Sequence, residues 1–263
     1  MKVKFKNPPI NELIIGVYFS SPISNFRCEH VGLLWNKLRD RLPEVVQKEP
    51  LLTELQPPVT INTQSDFMPR FWFVSADEAS LVQVQRDAFF HNWRRRDSDY
   101  PHYSEQVKPN FDHYYDVFET FVQEEVGDVR PQIRLCELSY VDVIESCEYW
   151  RGPHDTASVV PSLAESVQCL NEAPASAINS VYIYNLQSGI QLLVAVRTVE
   201  SSSEPISQRL ILEFRARGYM DGVLKSNTDS WFSDAHQAIV ECFLRMTSVD
   251  IQTKYWIRED SSS

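Results

Sequence analysis

The stretch that decides the fold is SLVQVQRDAFFHNWRRR, residues 80–96. From Val82 to Phe90, apolar residues occupy every second position except that of Arg86. Such alternation predicts a β-strand with two unlike faces, one turned to a core and the other to solvent or a partner. We therefore interpret Leu81–Trp93 as one long strand, the second arm of a hairpin whose first arm is Arg70–Ser75.

The second face of this strand mixes amides and charges with aromatic rings, as protein-binding surfaces often do. An ordinary solvated face would need only polar residues of any kind, and that alternative stays open. We predict that this exposed face binds a protein partner or a second copy of the chain. The predicted contact residues are Gln83, Gln85, Asp87, Asn92, Trp93 and Arg94.

The rest of the chain predicts an α+β fold made of two halves, 1–128 and 129–260, each with the order β-α-β-β-β-α. An offset of about 120 residues superimposes the two series, which indicates an internal duplication forming one compact unit. A curved antiparallel sheet would then carry helices on one face only. The predicted strands are 10–19, 59–63, 70–75, 81–93, 133–145, 178–186, 190–199 and 209–217. Four helices are predicted. The first spans 31–46 with a kink at Pro43, the second opens at Pro109, a short third begins at Ser162, and the last begins at Asp229 or Ser230.

Composition narrows the function classes. The net charge of −11 works against non-specific binding to nucleic acid or anionic lipid. The five cysteines are odd in number and scattered, and the N-terminal residues lack an apolar signal segment. No apolar run approaches the ~18 residues of a membrane span. We expect a cytoplasmic protein with reduced thiols and no membrane partner.

Motifs of known chemistry are absent from the sequence. The seven glycines form neither GxGxxG nor a P-loop, and GxSxG, HExxH and EF-hand patterns are missing. None of the six histidines lies three or four residues from another, so no helical metal pair exists. We therefore predict no cofactor and no metal, and we lean towards a protein that is not an enzyme.

One loop and one basic run support an alternative function. In YWRGPHDT, residues 149–156, a Gly-Pro turn presents Arg151 beside His154 and Asp155. This group could bind a phosphate or carboxylate or transfer a proton, and His154 and Asp155 are the catalytic candidates. The alternative role of Asp155 is to cap a local turn. Together with Trp93 and Arg94–Arg96, this loop would suit a protein that binds or processes nucleic acid or a nucleotide, although the net charge disfavours this reading.

The sequence resembles an uncharacterised family of bacterial and archaeal proteins over nearly its whole length. The residues that carry the resemblance are the start Asn7-Pro8-Pro9-Ile10 with Glu12, the pattern Gln-x-x-Arg-Asp-x-Phe-x-x-Asn-Trp-Arg from Gln83 to Arg94, the strand Glu137–Val141 and the pair Ala235-His236. Asp142 departs from the pattern, in which Asn follows Tyr-Val. The resemblance implies no activity, and it implies an accessory or defence-associated context.

Overall fold

A computed structural model describes residues 3–51, 68–97, 99–127, 130–170, 173–200 and 207–260. Within these residues, nine strands form one antiparallel sheet in the order β3-β4-β5-β6-β2-β7-β10-β9-β8, and β1 pairs with β11 separately. The predicted α+β class is therefore confirmed. The strands are β1 (Val3–Phe5), β2 (Ile10–Phe19), β3 (Glu44–Lys48), β4 (Arg70–Val74), β5 (Ser80–Gln85), β6 (Ala88–Arg94), β7 (Ile133–Glu145), β8 (Asn179–Asn185), β9 (Gln191–Glu200), β10 (Gln208–Val223) and β11 (Arg258–Asp260).

The α-helices are α1 (Cys28–Leu38), α2 (Lys108–Phe121), α3 (Thr156–Val159), α4 (Ala164–Val167), α5 (Asp229–Met246) and α6 (Val249–Lys254). Among these described helices, none is both long enough and apolar enough to cross a membrane.

The chain divides into two compact units, which are described separately below. Unit 1 consists of Met1–Glu12, Leu138–Gly218 and Trp231–Ser263, and unit 2 of Leu13–Glu137 and Tyr219–Ser230. The division into halves at residue 128 and the internal duplication stay predictions.

Within unit 2, the stretch predicted as one long strand is a hairpin. Strands β5 and β6 pair antiparallel with Gln85 opposite Ala88, so Arg86 and Asp87 form a two-residue turn. This turn lacks the glycine that such turns usually contain, and neither residue has a positive φ. The turn is held from outside, because the carbonyls of Asp87 and Arg86 accept the backbone amides of Phe19 and Ile23 at 2.8 Å each. The single strand Leu81–Trp93 was a wrong prediction.

The core of unit 2 lies between β6 and α2. The phenylalanines and tyrosines of α2 recur at helical spacing and all are buried. Phe89 packs its ring against Phe118 at 5.0 Å and against Tyr115 at 5.3 Å between centroids. The helix predicted to open at Pro109 is therefore confirmed, and it covers the sheet side that carries Phe89.

The first predicted helix is shorter than its apolar pattern suggested. Helix α1 ends at Leu38, and the residues after Pro43 form β3, in which Val45 and Val46 are exposed. Proline lacks an amide hydrogen and clashes with the preceding helical turn, so the chain leaves the helix before it. The predicted strand 59–63 lies outside the described residues.

Within unit 1, α5 covers the sheet side that carries Phe214. Phe243 lies 5.8 Å from Phe214 and 5.3 Å from Trp256 between ring centroids, and Phe232 is fully buried. The strands predicted at 178–186 and 190–199 appear as β8 and β9. They flank a turn at Ser188–Gly189, where Gly189 has a φ of 79°. The short helix predicted from Ser162 is a 3-10 turn, Pro161–Leu163, followed by α4, which begins with no side-chain cap.

Candidate functional site

The predicted binding face of β5 and β6 is covered. Gln83 and Asn92 are only 5% and 3% exposed, and Gln83 donates to Asn92 at 2.6 Å. The side-chain oxygen of Gln83 also accepts hydrogen bonds from Arg70 at 2.7 Å and from the indole of Trp72 at 3.0 Å. These amides form a buried polar network rather than an open surface, because the split strand brings β4 and β6 to either side of β5.

Gln85 and Asp87 serve the local backbone and turn. Gln85 is buried, accepts the amide of Leu51 at 2.9 Å, and donates to the Leu51 carbonyl and to Asp87. Leu51, which follows β3, therefore lies against this side of the sheet. Gln85 has no free hydrogen-bonding face left for a partner, and the prediction that it is exposed was wrong.

The basic run at the end of β6 is held by Glu78, which lies in the turn between β4 and β5. Trp93 is buried against Tyr100, with ring centroids 5.3 Å apart. Arg94 donates to the Glu78 carbonyl at 2.8 and 3.1 Å, and Arg96 pairs with the Glu78 carboxylate at 3.3 Å. Trp93 offers no exposed ring for a base to stack on.

The 149–156 loop uses most of its polar groups to fold. Asp155 accepts the backbone amide of Arg151 at 3.0 Å and lies 3.5 Å from the imidazole of His154, whose side chain is half exposed. Trp150 is buried and donates to Thr156 at 3.1 Å. The loop borders a depression of about 570 Å³ that is also lined by Glu148 and Asp250. With Asp155, the lining therefore has three carboxylates and a single arginine, Arg151.

This loop belongs to unit 1, whereas Trp93 and Arg94–Arg96 belong to unit 2. Their convergence into one nucleic-acid or nucleotide site stays a prediction.

Two histidines, one buried and one partly buried, bond to neighbouring hydroxyl groups. His91 is 1% exposed, bonds Ser80 through Nε2 at 3.0 Å and packs on Tyr114. Burial lowers its pKa to about 4. His236 bonds the Tyr140 hydroxyl at 2.8 Å, and burial lowers its pKa to about 4 as well. In the described part of the chain, no group of three His, Cys, Asp or Glu is placed to hold a metal.

Strand β8 of unit 1 is an open surface at an edge of the sheet. It stands last in the strand order, paired only with β9 among the described residues. The side chains of Val181 and Ile183 are 54% and 57% exposed, and Tyr184 is exposed as well. An edge strand presents unpaired backbone amides and carbonyls at alternate residues, which is a template for another strand.

The segment around β8 differs from the rest of the sequence in charge. Residues 173–196 contain no Asp, Glu, Lys or Arg, in a chain of which 23% is charged. The other terminal strand, β3, carries Glu44 and Lys48 and lies between Pro43 and Pro50, which are the devices that natural proteins use against edge-to-edge pairing. Strand β8 has none of them. This uncharged run was visible in the sequence, but the prediction gave weight to polar residues instead.

No family model, curated protein or solved structure matches this chain. The resemblance to an uncharacterised bacterial and archaeal family stays a prediction.

Proposed function

We propose that this protein is a non-enzymatic interaction module, and that it associates with a second copy of itself through the edge strand β8. The observation that supports this most directly is an uncharged terminal strand with two exposed β-branched apolar residues, Val181 and Ile183. Strand addition at a sheet edge is a common mode of protein recognition, in which backbone hydrogen bonds give affinity and alternate side chains give specificity.

A second copy suits this edge because the strand is nearly palindromic. Its sequence, NSVYIYN, places Tyr182 at the centre, Val181 and Ile183 on either side, and Asn179 and Asn185 at the ends. A two-fold interface requires residue i to meet j and residue j to meet i. Antiparallel pairing about Tyr182 sets Val181 opposite Ile183 of the second copy, and Asn179 opposite Asn185, so every pair is compatible with a strand interface.

Charge also favours this surface for self-association. Each copy carries a net charge of −11, so two copies repel one another in general. Contact through residues 173–196 brings no like charges together, because the segment has none. A basic partner would instead be expected to select an acidic face.

The experiment is a measurement of molar mass by size-exclusion chromatography with light scattering. We expect the wild type to be a dimer and Ile183→Lys to be a monomer, because a charge in the centre of the paired strands is costly to desolvate. Val249→Lys is the matched control, since Val249 is an exposed apolar residue of unit 1 on α6. A wild type that is monomeric at high concentration, or a control that dissociates equally, would refute the proposal.

We also propose a cellular location and a biological context for this protein. Scattered cysteines, odd in number, favour a cytoplasmic protein. The resemblance adds an accessory or defence-associated role, in which a self-associating module would act as a component of a larger assembly.

A further inference from the structure

Three cationic side chains of unit 2 surround one indole ring. The Nζ of Lys48 lies 4.9 Å from the centroid of the Trp72 ring, and the guanidinium carbons of Arg70 and Arg94 lie 5.5 and 5.9 Å from it. The residues come from three strands, β3, β4 and β6, and their side chains share the sheet side opposite to Phe89. The chain as a whole is strongly acidic, so this local concentration of positive charge is unusual.

Two of these cations oppose each other directly. Lys48 and Arg70 are partners in the β3–β4 register. Like charges directly opposite on antiparallel strands are destabilising. Among the described residues, no carboxylate lies within ion-pair distance of Lys48 or Arg70 to offset that repulsion. A bound anion would remove it.

Arg70, which would bind such an anion, is already oriented by a hydrogen bond. Gln83, buried beneath, accepts hydrogen bonds from both Arg70 and the Trp72 indole, which fixes their positions. Arg70 keeps a buried Nε–H that has no acceptor among the residues that the structure describes. A buried donor without an acceptor is destabilising, and an oxyanion that enters the cluster would supply the acceptor.

We propose that Lys48, Arg70 and Arg94 form a binding site for a phosphate group, with Trp72 as its apolar floor. Arginine offers a planar fork of donors and lysine a compact point charge, and both are suited to phosphate oxygens. A dianion matches a cluster of three positive charges better than a single carboxylate does. The group belongs either to free inorganic phosphate or to a nucleoside monophosphate, which share this chemistry. The site is independent of β8 and of self-association.

The test is isothermal titration calorimetry of the full chain at low ionic strength, with inorganic phosphate and with adenosine monophosphate as separate titrants. We expect one saturable site per chain for at least one of them. Lys48→Gln should weaken its affinity about tenfold, because one charge-assisted contact is lost. Lys48 is exposed, so this variant retains the fold, which far-ultraviolet circular dichroism would verify. Lys6→Gln is the matched control, since Lys6 is also exposed but belongs to unit 1.

The two titrants identify the source of the phosphate. Similar affinities for both would assign the site to the phosphate group alone, and tighter binding of the monophosphate would assign it to a nucleotide. The proposal is overturned if the wild type binds neither titrant saturably. It is equally overturned if Lys6→Gln weakens binding as much as Lys48→Gln does.

Discussion

Gln83 donates a hydrogen bond of 2.6 Å to Asn92 across the β5–β6 hairpin, and neither amide is accessible to a partner. The same glutamine is the acceptor for Arg70 and Trp72. A single side chain therefore satisfies three neighbours, and its role is to hold the hairpin together.

Removing that glutamine should destabilise the protein. We expect Gln83→Ala to lower the free energy of unfolding by about 1–3 kcal/mol, because the buried Asn92 oxygen and the Trp72 indole each lose a hydrogen bond to Gln83. Urea denaturation followed by circular dichroism measures the change. Gln187→Ala is the control, since Gln187 is exposed in the turn after β8. Equal stability of the two variants would contradict this role.

A pair of glycine substitutions tests the packing of unit 2. A β-carbon on Gly16 would overlap the ring of Phe90, which is buried, whereas one on Gly32 in α1 would meet nothing within 4 Å. We expect Gly16→Ala to cost about 1–3 kcal/mol through overpacking. Gly32→Ala should stabilise by about 0.5–1 kcal/mol, because alanine is the better helix former. Thermal unfolding distinguishes the two, and a tolerated Gly16→Ala would show that Phe90 can move aside.

The buried imidazole of His91 makes stability depend on pH. Its pKa is about 4 in the folded protein against 6.5 for the free side chain, so the unfolded chain binds the proton more readily between these values. Stability should fall as the pH drops from about 6.5 to about 4, by on the order of 3 kcal/mol from this group. Urea titrations across this range should show a weaker dependence for His91→Gln than for the wild type. His113→Gln, on the exposed side of α2, serves as the control, and an unchanged slope in the His91 variant would rule out this origin.

The register proposed for β8 can be tested by cross-linking. In a two-fold pairing centred on Tyr182, that residue faces its own copy with Cα atoms about 5 Å apart, which a disulfide can bridge. After replacement of the exposed Cys28 and Cys169 by serine, Tyr182→Cys should form a covalent dimer under mild oxidation. Tyr184→Cys should not, because its copies would lie about 14 Å apart. Non-reducing electrophoresis measures the covalent dimer that each variant forms. Faster cross-linking of Tyr184→Cys than of Tyr182→Cys would contradict the register.

The sequence predicted elements best where one periodicity persisted. The stripe of α2 has a strong, uninterrupted pattern. Strand β7 was predicted with the bounds that the structure has, Ile133–Glu145. The pattern failed at Arg86–Asp87, because the turn lacks glycine and apolar residues alternate in the sequence on both sides of it as if no turn were present. It failed again at Val45 and Val46, where apolar residues at helical spacing follow a proline that ends the helix.

The candidate site was less predictable for a related reason. Whether a polar strand face is open depends on what the rest of the chain places over it, and the contact of Leu51 with Gln85 joins residues far apart in sequence. The cation cluster at Trp72 likewise depends on the register of β3 against β4, which periodicity does not determine. The uncharged run at 173–196 needed no structure to be noticed.

The pairing of β1 with β11 has a practical consequence for protein engineering. Val3 lies opposite Asp260 in that ladder, so these two backbone positions are about 5 Å apart. A short peptide could link them, and new termini could then be opened at the Ser188–Gly189 turn. Such a circular permutant would place a fluorescent or affinity tag directly beside β8 and report on whatever docks there.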